Sequence, residues 1–229
     1  MTEPIFARTL QHTFHRGPMR TSAQRRFLST LMPVLGLVAL GSYPCSAVAQ
    51  SDGHSAGLTE LSPELQHARA GLEKYQDPIV AIRDGYFSTL ACVEYVKGGA
   101  GSIHYTPGGM GVHFLNLQVI SPTLDPAKPQ VLIYEPIGDR LRLAAAEWFV
   151  PTEVAGTAHP AIFGQELQGP MEGHVPLQPK GLHHYDLHVW LWKDNPAGVF
   201  SPTNPAIKCP KGSYSFTEQA PKLVDATEH

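Results

Sequence analysis

Apolar residues along this chain change their spacing twice. An unbroken apolar run from Phe27 to Gly41 comes first. Leu65, Ala68, Leu72 and Tyr75 then recur at three- and four-residue intervals, the spacing of one buried helix face. Ser62 is an N-cap residue followed by Pro63 at the first helical position and Glu64 in the first turn, so a helix starts there. Asp77-Pro78 repeats the signal for a second, shorter helix, which Gly85 can end. From Tyr86 onward the period is two, with Gly and Pro clusters between short runs rich in Val, Leu and aromatic residues.

Strands are therefore expected near Tyr86 to Tyr95, Ser102 to Thr106, Val112 to Ile120, Gln130 to Glu135, Leu141 to Val150, His183 to Trp192 and Ser213 to Phe216. Pro136-Ile137-Gly138-Asp139 has the composition of a tight hairpin turn. Two irregular stretches remain, Pro151 to Gly181 and Lys193 to Pro210, and loops this long are commonly lids or binding loops. The pattern predicts an α+β fold, with an N-terminal helical hairpin packed on a curved antiparallel β-sheet or small β-barrel.

The first apolar run belongs to a different kind of segment. Arg25 and Arg26 precede it, and Ala47-Val48-Ala49 follows it, which is the layout of a secretory signal cleaved after Ala49. The run is shorter than the roughly twenty residues of a membrane-spanning helix, and no later run is as long, so no membrane span is expected in the mature protein. A start at Met19 would leave a leader of about thirty residues, the usual size. Arg25-Arg26-Phe27-Leu28 is similar to a twin-arginine signal without its spacer residue, so both that route and the general secretory route stay open. Residues 1–49 are thus expected to be the signal peptide, 50–60 a flexible lead-in, and 61–229 a single domain, periplasmic or secreted.

Cleavage changes both charge and cysteine content. Seventeen basic and twenty acidic residues become twelve and nineteen, leaving about −7, since five basic residues but only Glu3 precede Gln50. That balance argues against a nucleic-acid or anionic-membrane partner. Cys45 leaves with the leader, and Cys92 with Cys209 forms an even pair that an oxidising compartment would join.

Ten histidines follow Ala49, several of them inside expected strands. Alternation puts His113 on one face with Leu115, Leu117 and Val119, and Glu147 with Leu141, Leu143, Ala145 and Phe149. A carboxylate on a core face is costly unless paired, hydrogen-bonded or metal-bound. The strand ending at Trp192 carries His184, Asp186 and His188 on one face, about 7 Å apart, so one of the two histidines can join a given ion unless the strand bends. Two histidines and a carboxylate suit zinc, iron, copper or manganese. The expected ligands are His113, Glu147 and either His184 or His188. Asp186 and Glu135 are expected in supporting positions, and His174 on a loop that could close over the site. The alternative is that the histidines are hydrogen-bonded core residues and Glu147 pairs with Arg140 or Arg142. Trp148, Trp190, Trp192 and Tyr185 would then line a pocket for a small apolar molecule, or the Pro-rich loops would serve as an envelope contact surface. Haem-attachment, dinucleotide, Walker and Gly-x-Ser-x-Gly motifs do not occur, and no residue pattern names a reaction.

Two resemblances accompany this reading. Pro107-Gly108-Gly109-Met110-Gly111-Val112-His113-Phe114-Leu115-Asn116 resembles the second motif of the cupin family, with His113 and Asn116 each one place displaced and without a paired-histidine first motif. That family implies a small β-barrel whose sites commonly hold a metal on histidines and a glutamate. The runs Gly-Met-Gly-Val-His (109 to 113), Tyr134-Glu135-Pro136, Met171-Glu172-Gly173-His174 and Leu187 to Trp192 resemble an uncharacterised group of exported bacterial proteins, which implies export and no particular chemistry.

Overall fold

The computed structural model describes residues 60–96, 105–212 and 215–225. The leader, its cleavage site and the expected strand at Ser102 to Thr106, up to His104, lie outside the described residues. Helix α1 spans Pro63–Leu72, with the Ser62 hydroxyl accepting from the Leu65 amide, and continues as a 3-10 turn, Glu73–Gln76. Helix α2, Pro78–Arg83, is capped by the Asp77 carboxylate on the Ile79 amide. The chain then enters Gly85 at φ 96°, a conformation glycine adopts without steric cost.

Among the described residues, the elements follow the expected change from helix to strand. The strands are β1 Phe87–Tyr95, β2 Gly108–Leu115, β3 Val131–Ile137, β4 Arg140–Pro151, β5 Ala161–Ile162, β6 Gln165–Glu166, β7 Gln168–Met171, β8 His184–Val189 and β9 Ser215–Glu218, with a short helix α3, Thr152–Ala155, after β4. Seven form one curled sheet in the order β7-β8-β4-β3-β2-β1-β9, and β5 pairs with β6 apart from it. The sheet is mixed, because β9 runs parallel to β1 while the other pairs are antiparallel. The result is an α+β fold built on a half-barrel. The segment after β9 returns to β7, where the Glu172 amide donates to the Lys222 carbonyl and the Val224 amide to the Pro170 carbonyl.

One face of the sheet is the main core. Leu132, Tyr134, Leu143, Ala146, Trp148, Val150, Tyr185, Leu187 and Val189 pack there against Leu65, Ala68, Leu72, Tyr75 and Ala81 of the helical segment. The Tyr134 hydroxyl donates to the Tyr75 carbonyl and the Tyr86 hydroxyl to the Pro129 carbonyl, fixing helices to sheet. Burial of apolar surface on this face is the chief stabilising term. The opposite face carries Val131, Ile133, Ala145 and Phe149, and among them the polar residues considered below.

Several local expectations are corrected. β2 ends at Leu115, because the Asn116 side chain accepts from the Gln118 amide and donates to the Asp84 carbonyl, turning Leu117–Val119 into a 3-10 turn. Leu117 and Val119 therefore do not share a strand face with His113. A bulge opposite Ile133 and Tyr134 inserts Ala144 into β4 and changes its parity, so Leu141 and Leu143 face the helices while Ala145, Glu147 and Phe149 face the other side. The Gly108 to Gly111 run lies in β2. A Cβ at Gly111, φ 84°, would stand 2.6 Å from the Tyr134 carbonyl oxygen, so this glycine serves strand packing. The stretch after Pro151 contains α3, β5, β6 and β7, while the one after Lys193 is held by Asn195 donating to the Thr203 carbonyl and Asn204 to the Asp194 carbonyl.

Cys92 and Cys209 form a disulfide across 117 residues, with Cα atoms 5.5 Å apart. It ties the long segment before β9 to the centre of β1. Closing a loop of that length restricts the unfolded chain by roughly 4 to 5 kcal/mol on the entropy treatment. A Cys92→Ser, Cys209→Ser double variant should therefore lose at least about 2 kcal/mol in urea unfolding relative to the oxidised protein. Equal midpoints before and after reduction of the unsubstituted protein would contradict this.

Candidate metal centre

β2, β3, β4 and β8 lie side by side, and their register decides which polar residues meet. Glu147 pairs with Val131 of β3 on one side and with His188 of β8 on the other, while His113 of β2 sits opposite Ile133, one step along. All point to the face away from the helices. The Glu147 Oε2 is 3.6 Å from the His188 Nε2 and 3.8 Å from the His113 Nε2. One donor atom from each of the three lies within 4.8 Å of the others.

A second group stands on the same face. His184, Asp186 and His188 alternate inward along β8 as the sequence expected, and His174 comes over from the loop after β7. The Asp186 Oδ2 is 3.4 Å from the His184 Nε2 and 3.6 Å from the His174 Nε2. The His174 Nδ1 is paired with the Glu218 Oε1 of β9, so a residue beside one edge strand of the sheet contacts the other edge strand. Beside them stands Tyr105, its ring 6.3 Å from that of His174.

These groups are buried. Glu147 and His188 are 3% exposed, Asp186 1% and His184 not at all. His113, with 12% of its side chain exposed, is the most accessible member of its group. Burial pulls the His113 imidazole down to about 3, helped by the nearby His188 and His174, and pulls His188 down to about 4, opposed by Asp186. Both are neutral at pH 7, as metal-ligating imidazoles must be. Burial pushes Glu147 well above the usual carboxylate range, with the Asp186 charge adding to it. Burial also acts to raise Asp186, but the His184 imidazole beside it, with His188 and His174, outweighs that and holds Asp186 below the usual range. For His174, burial acts downward and is overcome by Glu218, then Asp186, which raise it to about 9.

The distances decide what the clusters can do. Separations of 3.4 to 3.8 Å exceed the 2.7 to 3.2 Å of a hydrogen bond. They match donor atoms about 2.1 Å from one tetrahedral ion, which stand roughly 3.4 Å apart. The His113 Nδ1, both His188 ring nitrogens, the His184 Nε2 and the Asp186 Oδ2 are buried without a hydrogen-bond partner. Each is unusual in a protein interior, and these residues, with Glu147 and His174, make up buried and half-buried groups that could hold a metal.

The expected site residues are thereby distributed. His113, Glu147 and His188 come together, whereas His184 joins Asp186 and His174, because one strand cannot bring two residues four apart to one point. Asp186 is a potential ligand in its own right. Glu135 stands apart from both groups: it accepts from Arg142 at 2.6 Å and from Lys193 at 3.0 Å, since it lies beyond the β4 bulge, opposite Arg142. Arg142 is therefore engaged with Glu135, and Glu147 has no arginine partner among the ion pairs of the described residues. The aromatics do not gather round one pocket: Trp190 lines a small one with Leu61 and Val199, Trp192 a separate open one with Glu73 and Arg142, and Trp148 and Tyr185 lie in the core. Trp148 packs on Phe163 and donates to the Asp125 carbonyl, Trp190 donates to the Ser201 carbonyl, and Trp192 to the Glu73 carboxylate. Sequence reasoning missed Glu218 and Tyr105. Continuing the alternation of the last strand two residues past Phe216 would have found Glu218.

No family of known sequences, no curated protein and no solved structure matches this chain. Gly108 to Leu115 form β2, and His113 is the residue that strand contributes to the two groups.

Burying the Glu147 carboxylate costs the metal-free fold free energy, and replacing buried ionisable groups by apolar ones of similar size is often stabilising by about 1 to 4 kcal/mol. Glu147→Met should accordingly raise the urea midpoint of chelator-treated protein. A lower midpoint would mean that the surroundings already satisfy Glu147.

Proposed function

We propose that the protein binds a divalent transition metal through His113, Glu147 and His188. The observation supporting this is the Glu147 Oε2 standing 3.6 and 3.8 Å from two imidazole nitrogens, farther than a hydrogen bond and close to the spacing of ligands on one ion. Two imidazoles and one carboxylate leave coordination positions open, as in sites where zinc or iron meets water or a small molecule. Access would be from the His113 side, the least enclosed. The likeness of β2 and its flanks to a cupin motif favours the same chemistry, with iron, copper or manganese as further occupants.

The protein performs this role outside the cytosol. The Cys92–Cys209 disulfide is the kind of bond that persists in oxidising compartments. No helix among the described residues is long and apolar enough to cross a membrane. Arg25 to Ala49 supplies the export signal, and the metal is acquired where the disulfide forms, or earlier if the twin-arginine route is used.

Elemental analysis of protein purified without chelators tests the metal reading. Near-stoichiometric metal is expected, and a His113→Ala, Glu147→Ala double variant should lose it from this site. Added zinc at a hundred times its Kd should stabilise the stripped protein by about 2.7 kcal/mol. Purified protein without metal, and no thermal shift with zinc, iron, copper or manganese, would defeat the proposal.

A further inference from the structure

The second group has a feature the first lacks. The His184 Nδ1 is 3.1 Å from the Leu182 carbonyl oxygen. A carbonyl only accepts, so that nitrogen carries the hydrogen, and the Nε2 of a neutral ring is left with its lone pair. The Nδ1 of His174 likewise faces an acceptor, the Glu218 carboxylate, so its Nε2 is the ring nitrogen turned towards Asp186, and an ion binding there takes the place of the hydrogen on that nitrogen. Both Nε2 atoms stand near one carboxylate oxygen, the Asp186 Oδ2, at 3.4 and 3.6 Å. One potential ligand atom from each of these three buried residues lies within 4.8 Å of the others. The His184 Nε2 and the Asp186 Oδ2 have no hydrogen-bond partner.

Imidazoles that ligate metals almost always donate their other ring N–H to a carboxylate or backbone carbonyl, which fixes tautomer and orientation. Leu182 and Glu218 do this here. In the first group the corresponding Nδ1 atoms of His113 and His188 lack such partners. The Met171 Sδ, 3.3 Å from the His174 Nε2 and accepting from it, places a soft atom beside the group.

We infer that His174, His184 and Asp186 form a second transition-metal site, separate from the one at Glu147, which takes a zinc or copper ion and clasps the loop after β7 onto the half-barrel. The inference extends the metal reading above but does not require the first site to be filled. Imidazole and carboxylate donors suit either ion, and a neighbouring thioether favours copper when reduced. His174 enters from a loop, whereas His184 and Asp186 are fixed on β8, so the bound ion ties loop to strand. Glu218 is a positioning residue, acting through His174.

Zinc titration of the full secreted protein, after stripping with chelator, tests this by stoichiometry. Two equivalents are expected for the unsubstituted chain, one for Asp186→Asn, one for Glu147→Gln and none for the pair combined. Glu218→Gln should keep both ions and weaken one of them by about 10 to 100-fold, the usual effect of losing a ligand's orienting partner. His174→Ala, which alters only a loop residue, should also leave one tight equivalent and covers the case in which Asp186→Asn does not fold. Hydrogen exchange of residues 172–181 should slow on filling the second site, in Glu147→Gln as in the unsubstituted protein. One equivalent in the unsubstituted protein, retained by Asp186→Asn and His174→Ala and lost in Glu147→Gln, overturns the second site and leaves the first standing. One equivalent lost in Asp186→Asn and retained in Glu147→Gln sustains the second site and removes the first. No zinc or copper bound by the unsubstituted protein overturns both.

Discussion

The constraint on which this structure turns is the meeting of carboxylates and imidazoles on one buried sheet face. Glu147 and Asp186 are carboxylates at 3% and 1% exposure, and each has two imidazole nitrogens within 3.8 Å. A fold selected for stability alone would fill these positions with apolar side chains, as it does with Val131, Ile133 and Phe149 on the same face. Keeping them polar costs free energy, which the opposite face must offset. The helices, Trp148, Tyr134 and the leucines of the main core provide that burial, and the disulfide adds to it. Stability and chemistry thus occupy opposite faces of one sheet.

Curling makes the polar face an interior. In a flat sheet β7 and β9 would lie at opposite ends, and their loops would be far apart. Here the segment after β9 hydrogen-bonds to β7, and Glu218 of β9 reaches His174 beyond β7. The order β7-β8-β4-β3-β2-β1-β9 also determines the grouping of ligands, because β4 lies between β8 and β3 and brings Glu147 opposite His188. Neighbouring strands stand about 4.8 Å apart, close enough for one side chain on each to share an ion, whereas inward residues along one strand are about 7 Å apart. Polar residues alternating along β8 therefore divide between two groups. Arg142 and Lys193 engage Glu135 at the end of the sheet, which leaves Glu147 to the histidines.

Much of this was legible in the chain. Ser62-Pro63 and Asp77-Pro78 announced the helices because capping is a local interaction between neighbours in sequence. The inward set on β8 followed from simple alternation, and so did the oddity of Glu147 and His113 on apolar faces. The pairing of Cys92 with Cys209 followed from their number once Cys45 was assigned to the leader. Parity failed where the backbone departs from regular strand. The Ala144 bulge turned Leu141 and Leu143 to the other face, and the Asn116 side chain stopped β2 before Leu117. Neither feature has a spacing signature.

By itself, then, the sequence determined which residues were polar where an apolar one was expected, since that depends only on periodicity and residue type. Only the tertiary structure decided their company: that His188 and not His184 meets Glu147, that Asp186 stands among potential ligands, and that Glu218 holds His174 from the far edge. Those contacts join residues far apart in the chain through sheet order and curl. Strand order and curl arise from the packing of the whole sheet, and no local run of residues encodes them.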